Sequence, residues 1–194
     1  MRSEQPNHCI TVTKQQLRLF DAPFRRDAAR VARFDGAGYH RLVLVSLFIA
    51  SAVLYAHGSW AAVDRGDACL ALSRAQRIAA KDQVQATAGF TFTPDHKRWG
   101  EFHAHLSRAP RPGSSVILTI GAQPFLLVSG NGWAWSRGPL QEQAIIAAAR
   151  LGQSMRVDGR DASGRRFSDI YPLDGAPTAV DAAAARCAGK SGRS

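Results

Sequence analysis

The feature that most constrains this chain is an uncharged apolar run, Leu42 to Ala56, set directly behind Arg41. A helix that crosses a bilayer needs about 20 apolar residues, whereas the apolar core of an export signal needs about 7–15. The run has the shorter length, so residues 42–61 are expected to form a signal region that ends in His57-Gly58-Ser59-Trp60-Ala61-Ala62. Ser59 and Ala61 supply the small side chains wanted three and one positions before a cut, which places cleavage between Ala61 and Ala62. Residues 1–41, rich in Arg and Gln, are then a disordered extension or lie ahead of the true start, which would have to be a non-Met codon. The competing reading is an uncleaved signal anchor with a basic cytoplasmic tail, which would leave the following domain periplasmic. Arg25-Arg26 lies too far from the run to act as a twin-arginine signal. Residues 62–194 are expected to form one exported domain, periplasmic or secreted.

Charge narrows the partners. Eight of the 25 Lys/Arg and four of the 15 Asp/Glu precede residue 62, so the remainder carries a surplus of six positive charges. Within residues 62–194, apart from Lys97-Arg98 and Arg165-Arg166, the basic residues are single in the sequence, without the aromatic interleaving of a nucleic-acid groove. The surplus is assigned to solubility in preference to attraction by anionic surfaces. No nucleic-acid partner is expected, and membrane contact is expected only through the signal segment, if uncleaved.

Of the three cysteines, Cys9 precedes the run, which leaves Cys69 and Cys187 near the two ends of the exported part. An even count in an oxidising compartment points to a structural bridge. No C-x-x-C pair is present to support redox or zinc chemistry.

Hydropathy patterning gives an α+β fold: an antiparallel sheet of about six strands, packed with one mid-chain helix and one C-terminal helix. Gln83 to Phe92 alternates, and Trp99 to Ser107 places Phe102, Ala104 and Leu106 on one face and His103 and His105 on the other. Runs 115–120 and 124–128 form a hairpin of central strands apolar on both faces. Pro139 opens a helix in which Leu140, Ala144, Ala147/Ala148 and Leu151 share the inward face, with Gly152 as its stop. A second hairpin pairs 154–158 with 166–171. In the final helix, capped by Asp174, Val180, Ala183/Ala184 and Cys187 share a face, which aims Cys187 towards Cys69.

Two surfaces are candidate sites. His103 and His105 are two imidazoles on one strand face, which Asp95, His96 or Glu101 would have to complete as a metal set; surface histidines are the stronger expectation. Trp133 and Trp135, with Arg137 beyond, would make an aromatic ligand surface, although alternate aromatics on a strand more often fill the space under a helix. There is no G-x-S-x-G, P-loop or dinucleotide fingerprint, and Ser168-Asp169 lacks a fixed histidine partner. No catalytic residue, enzyme activity, metal or cofactor is expected.

The stretch Met155-Arg156-Val157-Asp158-Gly159-Arg160 to Gly164, then Asp169-Ile170-Tyr171-Pro172-Leu173-Asp174-Gly175-Ala176 and Ala179 to Cys187, resembles the invasion-associated locus B family of exported alphaproteobacterial proteins. Pro172 stands where that family usually has serine. The resemblance covers about the last 65 residues most closely, extends from Cys69, and carries over no catalytic residue. It implies a periplasmic or outer-envelope accessory protein with a part in host association or envelope stress, acting through an envelope or host-surface partner. Gly175 would then turn the chain into the helix, and Cys187 would carry the bridge. The alternative is a periplasmic module that binds a small ligand or metal through His103/His105 or Trp133/Trp135.

Overall fold

Strand β5 (Trp99–His105) shows the rule by which the sheet is built: Gly100, Phe102 and Ala104 are buried, while Trp99, Glu101, His103 and His105 between them are half-exposed. The computed structural model describes residues 52–190. Ten strands form one antiparallel ladder in the order β1-β2-β3-β4-β5-β8-β7-β6-β9-β10. The others are β1 (Ala52–His57), β2 (Trp60–Asp64), β3 (Cys69–Arg74), β4 (Thr87–Phe92), β6 (Val116–Ile120), β7 (Gln123–Gly130), β8 (Trp133–Trp135), β9 (Ser154–Arg160) and β10 (Arg166–Pro172). Helix α1 (Pro139–Leu151) packs on β5, β6 and β7, and α2 (Ala176–Ala188) packs across β1 to β4. The Gln76 amide donates to the Ile170 carbonyl at 2.8 Å, so the chain beyond β3 meets β10 from the opposite end of the ladder.

The α+β class is observed, with ten strands in place of about six. Strands β1 and β2 fall where the signal region and its cut are expected. Of the expected signal run, residues 42–51 lie outside the described residues, and 52–56 form the edge strand β1. Ala61 and Ala62, the expected cut, lie inside β2 and pair with Leu72 and Ala71 of β3. Trp60, just before them, is 2% exposed, and its indole N–H donates to the Pro172 carbonyl at 2.8 Å. The β1–β2 turn is also fitted to the start of α2. A Cβ on Gly58 would lie 2.3 Å from the Asp174 carboxylate, and one on Gly175 would lie 2.3 Å from the His57 carbonyl. Both glycines have positive φ, so side chains are disfavoured there on conformational grounds as well. Cutting after Ala61 would strip β1 and Trp60 from this fold.

Three smaller expectations also change. In α1 the inward residues are Ile145, Ala148 and Ala149, with Glu142, whereas Leu140 and Leu151 are 85% and 89% exposed. The small residues let the helix axis approach the sheet, and the two leucines project past its ends. Strands β6 and β7 are covered on one face only, which leaves Ile117, Leu126 and Val128 exposed. Asp174 does not cap α2; the N-cap is Gly175, in the left-handed conformation.

The core runs from Trp60, Phe90 and Phe102, ring centroids 5.9 and 5.6 Å apart in succession, to Leu118, Met155, Val157 and Tyr171 on the β6–β9–β10 side. Cys69 and Cys187 are disulfide-bonded with Cα atoms 5.8 Å apart, which joins β3 to α2 at the base of this core. Beside the bridge, the buried Asp64 carboxylate accepts from Arg186, Lys190 and the Gly66 amide. The Tyr171 hydroxyl is buried without a hydrogen-bond partner among the described residues. Because an unsatisfied buried donor costs stability, Tyr171→Phe is expected to leave the melting temperature unchanged or raise it, in contrast to the usual loss at a core position. A thermal melt of the variant checks this.

Candidate functional site

The antiparallel register sets the histidine and tryptophan side chains side by side. His103 lies opposite Trp135 and His105 opposite Trp133, so all four occupy the face of the sheet turned away from the core. Ala134, between the tryptophans, is the residue that points inward, fully buried against Ala104 and its neighbours. The expectation that Trp133 and Trp135 pack under a helix is therefore overturned, because α1 and α2 cover the opposite face. The His105 ring stacks on Trp133 with centroids 4.5 Å apart and planes 18° apart, and Trp133 lies 6.4 Å from Trp135 at 16°. Gly130 and Gly132 beside Trp133 have open space where a side chain would be. Arg137 is exposed, and its backbone amide is tied to Gln141 of α1.

The two histidines differ in chemistry. His103 Nδ1 is 3.2 Å from the Thr91 hydroxyl, and burial pushes its pKa down to about 4, helped by the positive charges of Arg98 and Arg65. His105 is shifted down by burial, opposed by the charge of Asp169. Burial thus favours the neutral form of both rings. Glu101, one step along β5, is shifted up by burial, partly countered by Arg98. Of the other residues considered for a metal set, His96 stacks on Trp99 and Asp95 accepts from Thr93 and Lys97. No three of His, Cys, Asp or Glu among the described residues converge as a metal set would require.

No family model, curated protein or solved structure matches this chain.

Two further features were missed in the sequence. Asp169 is buried on the core side, shifted up by desolvation although it accepts from the Ser107 amide at 2.9 Å. A cleft of about 800 Å³ opens between β1, the end of α1 and the start of α2, lined by Tyr55, His57, Arg150, Asp174 and Thr178 among others. Arg150 is held there by Asp181. Alternation with Phe167 and Tyr171 along β10 is the local signal that places Asp169 inward, whereas the cleft has none, since it depends on contacts between distant segments.

The shifts give a two-stage acid response. Burial alone would raise the Asp64 carboxyl, but the hydrogen bonds from Lys190, Gly66 and Arg186 outweigh it and hold its pKa at about 2. His103 is harder to protonate in the fold than in the unfolded chain, so stability falls as pH drops from about 6.5 towards 4. Asp64 is easier to ionise in the fold, so its contribution is lost from about 3.8 towards 2. Melting temperature against pH is expected to show both stages, and His103→Gln to shrink the upper one, leaving the share of His105, without changing the lower.

Proposed function

We propose that this chain is an exported, non-enzymatic accessory protein of the bacterial envelope, of the kind the resemblance to the invasion-associated locus B family implies. The observation that carries the reading is the Cys69–Cys187 disulfide, which closes the fold across 118 residues of sequence. Such bridges persist in oxidising compartments and are rare in the cytosol. The export reading is further supported by the apolar run behind Arg41, and no described helix is long and apolar enough to cross a membrane. The segments that carry the resemblance correspond to the β9–β10 hairpin and to α2 up to Cys187.

The role of β1 and β2 in the sheet moves the proposed cut upstream. Ala50-Ser51-Ala52 offers the same small-x-small pattern, leaves Leu42 to Ile49 as an apolar segment of signal length, and keeps the chain from Val53 onward. Intact-mass measurement of protein recovered from a periplasmic fraction tests the reading. A chain beginning at Val53 with the disulfide formed is expected. An unprocessed chain confined to the cytosol contradicts export, and a chain beginning at Ala62 contradicts the revised cut.

A second reading has its own observation: Trp133 and Trp135 face outward with His105 stacked beside them. In that reading the face binds a small ligand or a metal ion. Stoichiometric metal in protein purified without a histidine tag, lost in His103→Ala/His105→Ala, would favour it over the first.

A further inference from the structure

Arginines that stand apart in the sequence are gathered at one end of the β9–β10 hairpin. Arg160 and Arg166 lie directly opposite each other in the register. The Arg111 amide donates to the Arg160 carbonyl at 2.8 Å, which brings the segment before β6 alongside. Arg108 and Arg165 both reach the Asp161 carboxylate, at 3.0 and 3.4 Å. That carboxylate is buried and also accepts from Ser163 and the Arg165 amide. Arg111, Arg160 and Arg166 are exposed and form no salt bridge among the described residues.

Like charges placed directly opposite on an antiparallel pair repel, and the hydrogen bond from Arg160 to the Gly164 carbonyl, at 3.0 Å, does not neutralise the charge of Arg160 and Arg166. An anion seated between them would. The chemistry of the neighbouring surface narrows the anion. On the same outward face lie Ile170, opposite Arg156, and Ile117, opposite Asp158, at 39% and 36% exposure. Leu126 and Val128 extend this exposed strip across β7. The residues of the strip nearest the arginines, Ile170 and Ile117, are aliphatic, and rings enter it only beyond Val128, where Trp135 lies opposite. Cationic side chains beside an exposed aliphatic strip suit a surface with phosphates outside and hydrocarbon just beneath.

We propose that this face docks on a membrane surface rich in anionic phospholipid, with Arg111, Arg160, Arg165 and Arg166 meeting lipid phosphates. Ile117 and Ile170 rest at the boundary with the acyl chains. The contact is peripheral and weakens with salt. It does not depend on the export reading, since both leaflet chemistries and both compartments offer such a surface.

The test is co-sedimentation of the full chain with vesicles of phosphatidylcholine alone and of phosphatidylcholine mixed with phosphatidylglycerol. Binding that requires phosphatidylglycerol is expected, and Arg160→Glu/Arg166→Glu should weaken it by about tenfold or more. Lys81→Glu/Lys97→Glu changes the net charge equally at exposed positions elsewhere and should retain most of the binding. If the glutamate pair disturbs the hairpin, Arg160→Gln/Arg166→Gln makes the same comparison without new repulsion and should show a smaller loss in the same direction. Three results would overturn the proposal: no dependence on phosphatidylglycerol, equal losses in the two charge-reversed pairs, or tighter binding to a single-stranded oligonucleotide than to the vesicles at equal salt.

Discussion

Replacing Cys69 and Cys187 together with serine is expected to destabilise the fold by about 4–5 kcal/mol, lowering the melting temperature by roughly 15 °C. The size of the effect follows from where the bond lies. It spans 118 residues of sequence, so breaking it returns a large conformational freedom to the unfolded chain. The folded state loses as well. Both cysteines are fully buried, and α2 lies across β1 to β4 with largely small residues, Ala176, Ala179, Val180 and Ala183, beneath it. A helix held by alanines gains little from each side chain, so the covalent tie carries an unusual share of its docking. Asp64, gripping Arg186 and Lys190, is the non-covalent companion of the same attachment. Thermal melts of the oxidised protein, the reduced protein and the double serine variant measure the effect. Equal melting temperatures for all three would show that the bridge is incidental to the fold.

Trp60→Ala is expected to cost about 3–5 kcal/mol, the range for truncating a large buried aromatic. Trp60 is at once a core side chain against Phe90 and a hydrogen-bond donor to the Pro172 carbonyl, so it joins β2 to the end of β10. Its removal leaves a cavity and also an unpaired carbonyl at the point where the two ends of the ladder meet. A chain that begins at Ala62 loses Trp60 together with all of β1 and should be less stable still. Denaturant unfolding of Trp60→Ala, and of chains begun at Val53 and at Ala62, gives the comparison. A chain from Ala62 as stable as one from Val53 would mean that β1 and Trp60 contribute nothing to the fold.

Much of this architecture could be read along the chain because it is written in local periodicity. The alternation at Trp99–His105, the hairpins of β6–β7 and β9–β10, both helix spans and the Cys69–Cys187 pairing all follow from patterns within a few residues or from a simple count. What could not be read depends on distant partners. Ala52 to Ala56 are apolar residues that suit an export signal and a strand equally well, and their place in the sheet is set by pairing with residues 61–64 beyond the run. Leu140 and Leu151 are as apolar as any core residue, yet the approach of α1 to the sheet is set by Ile145, Ala148 and Ala149. Trp133 and Trp135 carry the signature of a core pair, and the side of the sheet they occupy was decided by where the helices packed. The arginine cluster is clear in the structure and obscure in the sequence, because Arg111 meets Arg160 only through tertiary pairing.

The most direct measurement of the central claim is thiol trapping in intact cells that make the protein: rapid alkylation, then mass analysis of the peptides that contain Cys69 and Cys187. Both thiols are expected to be already joined and to take up no reagent until a reductant is added. Quantitative alkylation of both in the untreated cell, on a folded chain, would contradict it.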